Sequence, residues 1–195
     1  LAGKILGRLA LPQLRANLYD IIKAEIERAY VYFFHYHYLQ KQYPDKDLEI
    51  LRDALLSGFH SVMDFMIQIL GTAGEIEDCE LLSRSIRSKQ PKVRSQVLET
   101  LERTCEVRIF RLLQPLLNEM PQEEKLKAFY SGGRKPMTLP QLLDWMSASS
   151  SLSDEILAAT FRSWLNIPGW KESLRKQMSG KEEIFHHFAY ELLES

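Results

Sequence analysis

The side chains able to do chemistry are mainly histidines, cysteines and carboxylates, and their spacing favours neither a catalytic nor a metal site. His35 and His37 would lie about 200° apart around a helix, so they cannot share a metal ion. His60 and Asp64 fall on one helix face, but a zinc site takes about three or four protein ligands. The sequence therefore predicts no metal and no other cofactor.

The two cysteines are better explained by packing than by reactivity. Cys79 and Cys105 each fall on the apolar side of a predicted helix, where a free cysteine behaves as a small hydrophobic residue. A nucleophilic cysteine needs an activating histidine or cation, and the sequence indicates none. Two cysteines also make no disulfide framework, which is typical of a reducing compartment. We expect a protein that is not an enzyme and has no catalytic residues.

The composition is that of a soluble, folded chain. Hydrophobic residues make up 45% and charged residues 26%, and the formal net charge of −1 does not favour nucleic acid or anionic lipid as a partner. The longest uncharged run, residues 29–40, is too short to cross a bilayer, which takes about 20 residues. We expect a cytoplasmic location, or the cytosolic side of a membrane protein. Because Leu1 already lies in a helical pattern, we expect a piece of a larger protein.

Two long helical patterns predict a helix pair near the N-terminus. Apolar residues recur every three or four positions over residues 13–40 and again over 48–70. Asp45 or Asp47 is the expected N-cap of the second helix. The short connection predicts antiparallel packing, and Gly58 in the second helix indicates a close approach to the first.

The aromatic run at residues 30–38 has the most unusual composition in the chain. Aromatic side chains pointing in all directions around a helix imply burial on more than one side. The favoured interpretation is core packing. The alternative is a ligand or partner groove lined by tyrosine hydroxyls.

The clearest short unit is a helical hairpin at residues 75–104, with a turn at Pro91. Val93, Val97 and Leu101 form the apolar face of its second helix. One hairpin of this size cannot bury its own faces, so the pattern predicts stacked neighbours.

The last third of the chain shows the same helical-hairpin pattern twice. The segments at 154–165 and 182–193 align at an offset of 28 residues, and a shorter predicted helix precedes each. The positions that follow the pattern of Val93, Val97 and Leu101 are Ile156, Thr160 and Trp164, and then Ile184, Phe188 and Leu192. A further repeat is expected to end near residue 12.

This hairpin resembles the HEAT-repeat group, including the short bacterial kind described as PBS-lyase-like. The matching residues, which directly follow the turn, are Val93, Arg94, Val97 and Leu101. The resemblance implies that Arg94 packs across the turn. The chain lacks the aspartate usual in that turn, and Leu157 and Phe185 stand where the last two units would carry the arginine.

The expected fold is therefore all-α: HEAT-like stacked helical hairpins, an alpha-solenoid, with a long antiparallel helix pair near the N-terminus. We expect one helical-repeat domain over residues 1–195. Its parts are the end of a truncated repeat (1–12), a long helix hairpin (13–74), a HEAT-like repeat with following helices (75–130) and two further HEAT-like hairpins (138–195).

The order of these parts is similar to a cytosolic repeat region fused behind ATP:ADP-carrier-like or major-facilitator membrane domains in chlamydiae and cyanobacteria. The similarity covers residues 11–117 and is carried by segments 24–30, 51–55 and 108–117. It implies a bacterial, transporter-associated scaffold. Transport chemistry belongs to the membrane part of that family, so no transport residue carries over.

A local charge bias marks residues 84–111, which hold eight basic and three acidic residues. A solvated face is the simplest interpretation, and a docking site for an acidic partner, a nucleotide or lipid headgroups is the alternative. The residues of this possible partner-binding surface are Arg84, Arg87, Arg94, Arg103, Arg108 and Arg111.

The leading functional interpretation is a non-enzymatic protein-interaction or regulatory module, the soluble part of a larger, transporter-like membrane protein. Its expected partner is another protein. Two alternatives stay open: nucleic-acid binding by the basic face at 84–111, and small-ligand binding by the aromatic region at 30–38.

Overall fold

A computed structural model describes residues 2–88, 90–118, 121–131, 133, 135–149, 151–179, 181 and 183–194, without the side chains of 2–10, 122, 128, 129 and 131. The described residues form ten α-helices and no strand, which confirms the all-α prediction. The helices are α1 (Ala2–Gln42), α2 (Glu49–Ala73), α3 (Cys79–Ile86), α4 (Pro91–Thr104), α5 (Val107–Leu117), α6 (Gln122–Ser131), α7 (Leu139–Ser147), α8 (Leu152–Trp164), α9 (Trp170–Met178) and α10 (Glu183–Glu194).

The first helix differs from the prediction, because α1 is one continuous helix through Pro12. The expected break near residue 12, between the end of one repeat and a new helix, is wrong. A proline removes one backbone hydrogen bond, but leucine and arginine on both sides keep a strong helical preference. Ala2, Leu6 and Leu9 have helical spacing in the sequence, and their side chains lie outside those that the structure describes.

Helices α1 and α2 pack antiparallel, as predicted. The Arg15 Nε donates to the Ala73 carbonyl at 2.7 Å, so the beginning of α1 meets the end of α2. Further along α1, the Phe33 and Phe59 ring centroids are 5.4 Å apart. Gly58 allows this approach, since a Cβ there would lie 2.7 Å from the Tyr32 ring.

The chain divides into two compact units, of which the first comprises Leu1–Tyr38 and Leu55–Lys135. In this unit α3, α4, α5 and α6 follow one another, each packed on the next. The buried side chains of α3 to α5 are Leu82, Val97, Leu101, Ile109, Phe110, Leu113, Leu116 and Leu117. Val97 and Leu101 therefore lie on the buried face of α4, as their spacing predicts.

The second unit comprises Leu39–Ala54 and Pro136–Ser195. The connection between α1 and α2 belongs to this unit. In it, Asp47 Oδ1 accepts a hydrogen bond from the Glu49 N–H at 3.4 Å, and Asp47 is one of the two residues predicted to cap α2. The Tyr43 hydroxyl accepts from the Leu139 N–H at 3.3 Å at the start of α7. Local hydrogen bonds of this kind satisfy helix-terminal donors and set where each helix begins.

Helices α7 to α10 form the rest of the second unit. Helix α8 packs on α7, α9 and α10, and α9 packs on α10. Their shared core contains Ala159, Leu174, Met178, Phe185 and Ala189, with Leu152, Ile156, Trp170, Phe188, Leu192 and Leu193 partly buried against it.

The repeat pattern in α8 and α10 does not coincide with their buried faces. Trp164 and Ile184, expected on the same pattern as Leu101 and Val93, are 62% and 64% exposed. The buried residues instead include Phe161 and Ala189, which are also 28 positions apart. The offset of 28 does not hold for the other buried positions of α8: Ala159 and Arg162 are buried, whereas His187 and Tyr190 are exposed. The buried faces therefore differ from the predicted repeat, and α8 is enclosed by three neighbouring helices.

Two ionic contacts join helices within the second unit. The buried Arg162 guanidinium donates to the Asp144 carboxylate and to the Ser173 hydroxyl, the latter at 2.6 Å. The Lys181 Nζ donates to Glu155 Oε1 at 2.7 Å, and the Glu155 side chain is only 6% exposed. The Arg162 contacts join α8 to α7 and to α9, and the Lys181 contact joins α8 to the segment between α9 and α10.

Candidate functional site

The six predicted surface arginines all lie in the first unit, on or next to α3, α4 and α5. Five are exposed and Arg94 is half-buried. Arg87 forms an ion pair with Asp64 of α2, and the Arg94 guanidinium donates to the Ser88 carbonyl at 3.1 Å. Arg94 thus bonds back across the α3–α4 turn.

Three of the arginines flank the α4–α5 turn. Arg103 is in the last turn of α4, and Arg108 and Arg111 lie three residues apart at the start of α5. All three are exposed, as is Val107 at 60%. We call Arg103, Val107, Arg108 and Arg111 the basic patch. It combines positive charge with one apolar side chain.

Arg108 is held in place within the basic patch. Its Nε donates to Glu106 Oε1 at 2.6 Å, and its guanidinium carbon lies 5.5 Å from the Tyr19 ring centroid. The hydrogen bond to Glu106 and the charge of that carboxylate raise the pKa of Arg108 above its usual value. Arg108 therefore stays charged and keeps a defined direction on the surface.

The aromatic run at 30–38 contributes mainly to the core. Tyr30, Tyr32, Phe34 and His35 are buried although they point in different directions around α1, as the composition implied. His35 Nδ1 lies 2.8 Å from the Val31 carbonyl oxygen, and burial lowers the pKa of this imidazole. These four residues are therefore part of the buried core.

A cleft of about 410 Å³ lies in the first unit and brings together two features that the sequence analysis treated separately. Phe33 comes from the aromatic run and Arg94 from the arginine set. The lining residues, supplied by α1 to α6 and their ends, are Phe33, Phe59, His60, Ile86, Arg94, Leu116, Leu117, Asn118 and Lys125. Sequence reasoning missed this site, because its residues come from six separate segments and share no motif.

The cleft has an apolar wall and two cationic side chains. Leu116 and Leu117 are buried, and the Phe33 and Phe59 rings are 5.4 Å apart. The Lys125 Nζ donates to the Leu116 carbonyl at 3.0 Å and lies 5.7 Å from the Phe33 ring centroid. Lys125 and Arg94 therefore line the cleft while bonded to carbonyl groups of the chain itself.

Among the residues that the structure describes, no three histidine, cysteine or acidic side chains form a group that could hold a metal ion. The adjacent histidines of α10 diverge: His186 Nε2 lies 2.6 Å from the Met178 carbonyl oxygen, and His187 Nε2 lies 3.4 Å from Glu191 Oε1.

The two cysteines should differ strongly in reactivity. Burial raises the pKa of the Cys105 thiol to about 11, whereas Cys79 is only half-buried. Against the reference value of 9.0, this leaves about 100-fold less thiolate on Cys105 at pH 8, and the thiolate is the reactive form. We expect iodoacetamide to alkylate Cys79 first and Cys105 at least about tenfold more slowly, as followed by peptide mass spectrometry. Equal rates in the folded protein would contradict the burial of Cys105; equal rates in denaturant are the control.

By length and composition, α2 is the one helix in the described part of the chain that could cross a membrane, a property that core helices of soluble proteins share. Asp64 divides this helix into two uncharged stretches, residues 54–63 and 65–73, each shorter than the run at 29–40. Within the first unit, the face of α2 that carries Gly58 packs on α1.

Comparison with known proteins gives no family assignment: no family model, no curated protein and no solved structure matches the chain.

Proposed function

We propose that this chain is a non-enzymatic protein-interaction module, built from stacked helical hairpins of HEAT type, that recognises an acidic partner through the basic patch. By the resemblance of its parts, we place it on the cytosolic side of a transporter-like bacterial membrane protein. Contacts between helices support the repeat architecture, and the charge of the basic patch supports the choice of partner.

The packing within the second unit supports the repeat architecture. In a stack of hairpins, each helix contacts its partner in the hairpin and the equivalent helix of the next hairpin. Helices α7 and α8 form one hairpin and α9 and α10 the next, and α8 also contacts α10. In the first unit, the bond from Arg94 to the Ser88 carbonyl supports the same type of turn between α3 and α4.

The observation that carries the partner proposal is the exposure of Arg103, Arg108 and Arg111 around one turn, next to the exposed Val107. Among the described residues, neither Arg103 nor Arg111 has a recorded ion pair. Arginine forms bidentate bonds with carboxylates, and an adjacent apolar side chain adds contact area. An acidic segment with an apolar residue fits this surface.

The proposal is tested by fluorescence anisotropy with a labelled glutamate-rich peptide that contains leucine, at about 50 mM salt. The triple variant Arg103→Gln, Arg108→Gln, Arg111→Gln should bind the peptide at least about tenfold more weakly, since three charges that attract it are lost. The matched control is Lys23→Gln, Lys41→Gln, Lys176→Gln, which removes the same charge at exposed positions elsewhere. Its affinity should change less than about twofold.

Two outcomes would count against the proposal. If both triple variants lose affinity equally, the peptide responds to net charge and the basic patch has no special role. If duplex DNA binds more tightly than the peptide and its affinity falls steeply with salt, the nucleic-acid interpretation of the basic face replaces the protein-partner one.

A further inference from the structure

The outer face of α10 carries apolar and acidic side chains together. The exposed residues of this helix are Glu183, Ile184, His187, Tyr190, Glu191 and Glu194. At about 100° per residue, these positions fall within an arc of about 120° around the helix. The buried Phe185 and Ala189 lie on the opposite side. Helix α10 therefore packs with one face in the second unit and presents the other as a continuous exposed face, which we call the α10 face.

Two large apolar side chains stand on the α10 face. Ile184 is 64% exposed and Tyr190 is 58% exposed. The two residues are six positions apart, which is about 9 Å along the helix axis. Covering both would remove apolar surface from water, and tyrosine is a residue that protein interfaces favour. The α10 face therefore has the apolar content of a docking surface.

The carboxylates of the α10 face give it one sign of charge. They lie at Glu183, Glu191 and Glu194, spread over about 16 Å of the helix, and α10 contains no lysine or arginine. Glu191 Oε1 lies 3.4 Å from His187 Nε2. Among the described residues, neither Glu183 nor Glu194 has a recorded ion pair. A partner for this face needs basic side chains next to an apolar one.

The basic patch has these complementary properties. Helix α5, which supplies most of it, contains arginine and no acidic residue, and Val107 at its start is 60% exposed. Glu106, just before α5, is bonded to Arg108. Arg103 and Arg111 are exposed on either side of this pair. Since arginine forms bidentate bonds with carboxylates, the basic patch and the α10 face match in charge and in apolar content.

Another exposed apolar residue with carboxylates nearby matches the basic patch less well. Leu81 is 63% exposed and shares a shallow pocket with Glu77, Asp78 and Glu80. Arg84 lines the same pocket, so this surface would bring a like charge to the arginines of the basic patch. The α10 face carries no such cation and is the better complement.

We propose that the acidic partner of the basic patch is a second copy of this chain, which docks through its α10 face. This inference rests on the proposed function, because it names the partner of that same surface. The two surfaces differ, so the contact is heterologous: a chain bound through its basic patch still presents its own α10 face. Association of this type continues into rings or open chains.

The first test is sedimentation equilibrium of the full chain over about 5–300 μM, at about 50 mM and about 500 mM salt. At low salt, the weight-average mass should rise with concentration above the monomer mass of 22.7 kDa. At high salt it should fall back towards that value, because salt screens the charges on both surfaces. A mass of 22.7 kDa at every concentration at low salt would overturn the proposal.

Charge reversal on each surface tests which residues meet. The patch-reversed variant is Arg103→Glu, Arg111→Glu, and the α10-reversed variant is Glu183→Lys, Glu194→Lys. Each variant alone should self-associate at least about tenfold more weakly, because like charges then face each other. An equimolar mixture of the two should associate again, since each reversed surface meets its complement. If both variants are monomeric and the mixture does not associate, the two surfaces are not partners.

A third variant controls for net charge. Lys41→Glu, Lys127→Glu changes the net charge by as much as the patch-reversed variant does, at exposed positions outside both surfaces. Its self-association should change less than about twofold. A loss equal to that of the patch-reversed variant would show that net charge, and not the basic patch, controls association.

The glutamate-rich peptide separates this inference from the proposed function. The α10-reversed variant should bind the peptide with unchanged affinity, because its basic patch is intact. If the peptide binds the basic patch and the chain stays monomeric, this inference fails while the proposed function stands. If the peptide does not bind but the reversed variants associate only when mixed, the basic patch recognises the α10 face specifically and the inference stands.

If a reversed variant does not fold, as judged by circular dichroism, the contact is located in the unmodified protein by nuclear magnetic resonance. On dilution at low salt, the backbone amide shifts should change in residues 103–111 and 183–194. Changes centred on other segments would overturn the proposal.

Discussion

Replacing Phe185 with alanine is expected to lower the free energy of unfolding of the second unit by about 3–5 kcal/mol. Phe185 is fully buried among Ala159, Leu174 and Met178, so its removal loses apolar burial and leaves a cavity between α8, α9 and α10. The measurement is urea unfolding followed by tryptophan fluorescence. All three tryptophans of the chain lie at positions 145, 164 and 170, within the second unit, so the signal reports on that unit.

The neighbouring residue provides the matched control. Ile184 is 64% exposed, so Ile184→Ala should change the free energy of unfolding by about 0.5 kcal/mol or less. The comparison separates two orientations of α10. The sequence pattern places Ile184, Phe188 and Leu192 on one apolar face, and the structure buries Phe185 and Ala189. If Ile184→Ala proved the more damaging change, the orientation of α10 described above would be wrong.

Removing the Lys181 cation that faces Glu155 is expected to cause the second largest decrease in the free energy of unfolding. Lys181→Met leaves the Glu155 carboxylate, 6% exposed, without the ammonium that donates to it at 2.7 Å. Removing one partner of a buried ion pair lowers the free energy of unfolding by about 3–5 kcal/mol. Because the Lys181 side chain is itself 34% exposed, we expect a smaller decrease here, of about 2 kcal/mol. The same fluorescence-detected urea unfolding measures it.

Two further variants show whether this cost comes from the unpaired carboxylate. Adding Glu155→Gln to Lys181→Met should recover part of the lost stability, since the stranded charge is then absent. Arg175→Gln is the control, because the Arg175–Glu172 pair in the same unit is exposed on both sides and 3.9 Å apart, and its loss should be barely measurable. A double variant less stable than Lys181→Met alone would contradict this explanation.

Much of the secondary structure could be predicted from local physics. Helices α4, α8 and α10 begin and end close to the segments predicted for them, because prolines, glycines and polar caps act within a few residues of themselves. Gly58 was identified from its position in an apolar helix, and the Tyr32 ring does lie against it. The predicted helix break near Pro12 is wrong because proline weakens a helix only locally. Whether the helix ends there depends on the residues around it as well.

The sequence by itself determined that this protein is a series of helices with defined ends, that its aromatic run is buried on several sides, and that its cysteines pack as hydrophobic residues. The tertiary structure alone decided which face of α8 and α10 is buried, which arginines are held by other residues, and which stay on the surface. It also assembled the cleft, where Phe33, Phe59, Arg94 and Lys125 arrive from four different helices. The physical reason is that periodicity reports a helix and its apolar residues, whereas burial and electrostatic environment depend on neighbours far away in the chain.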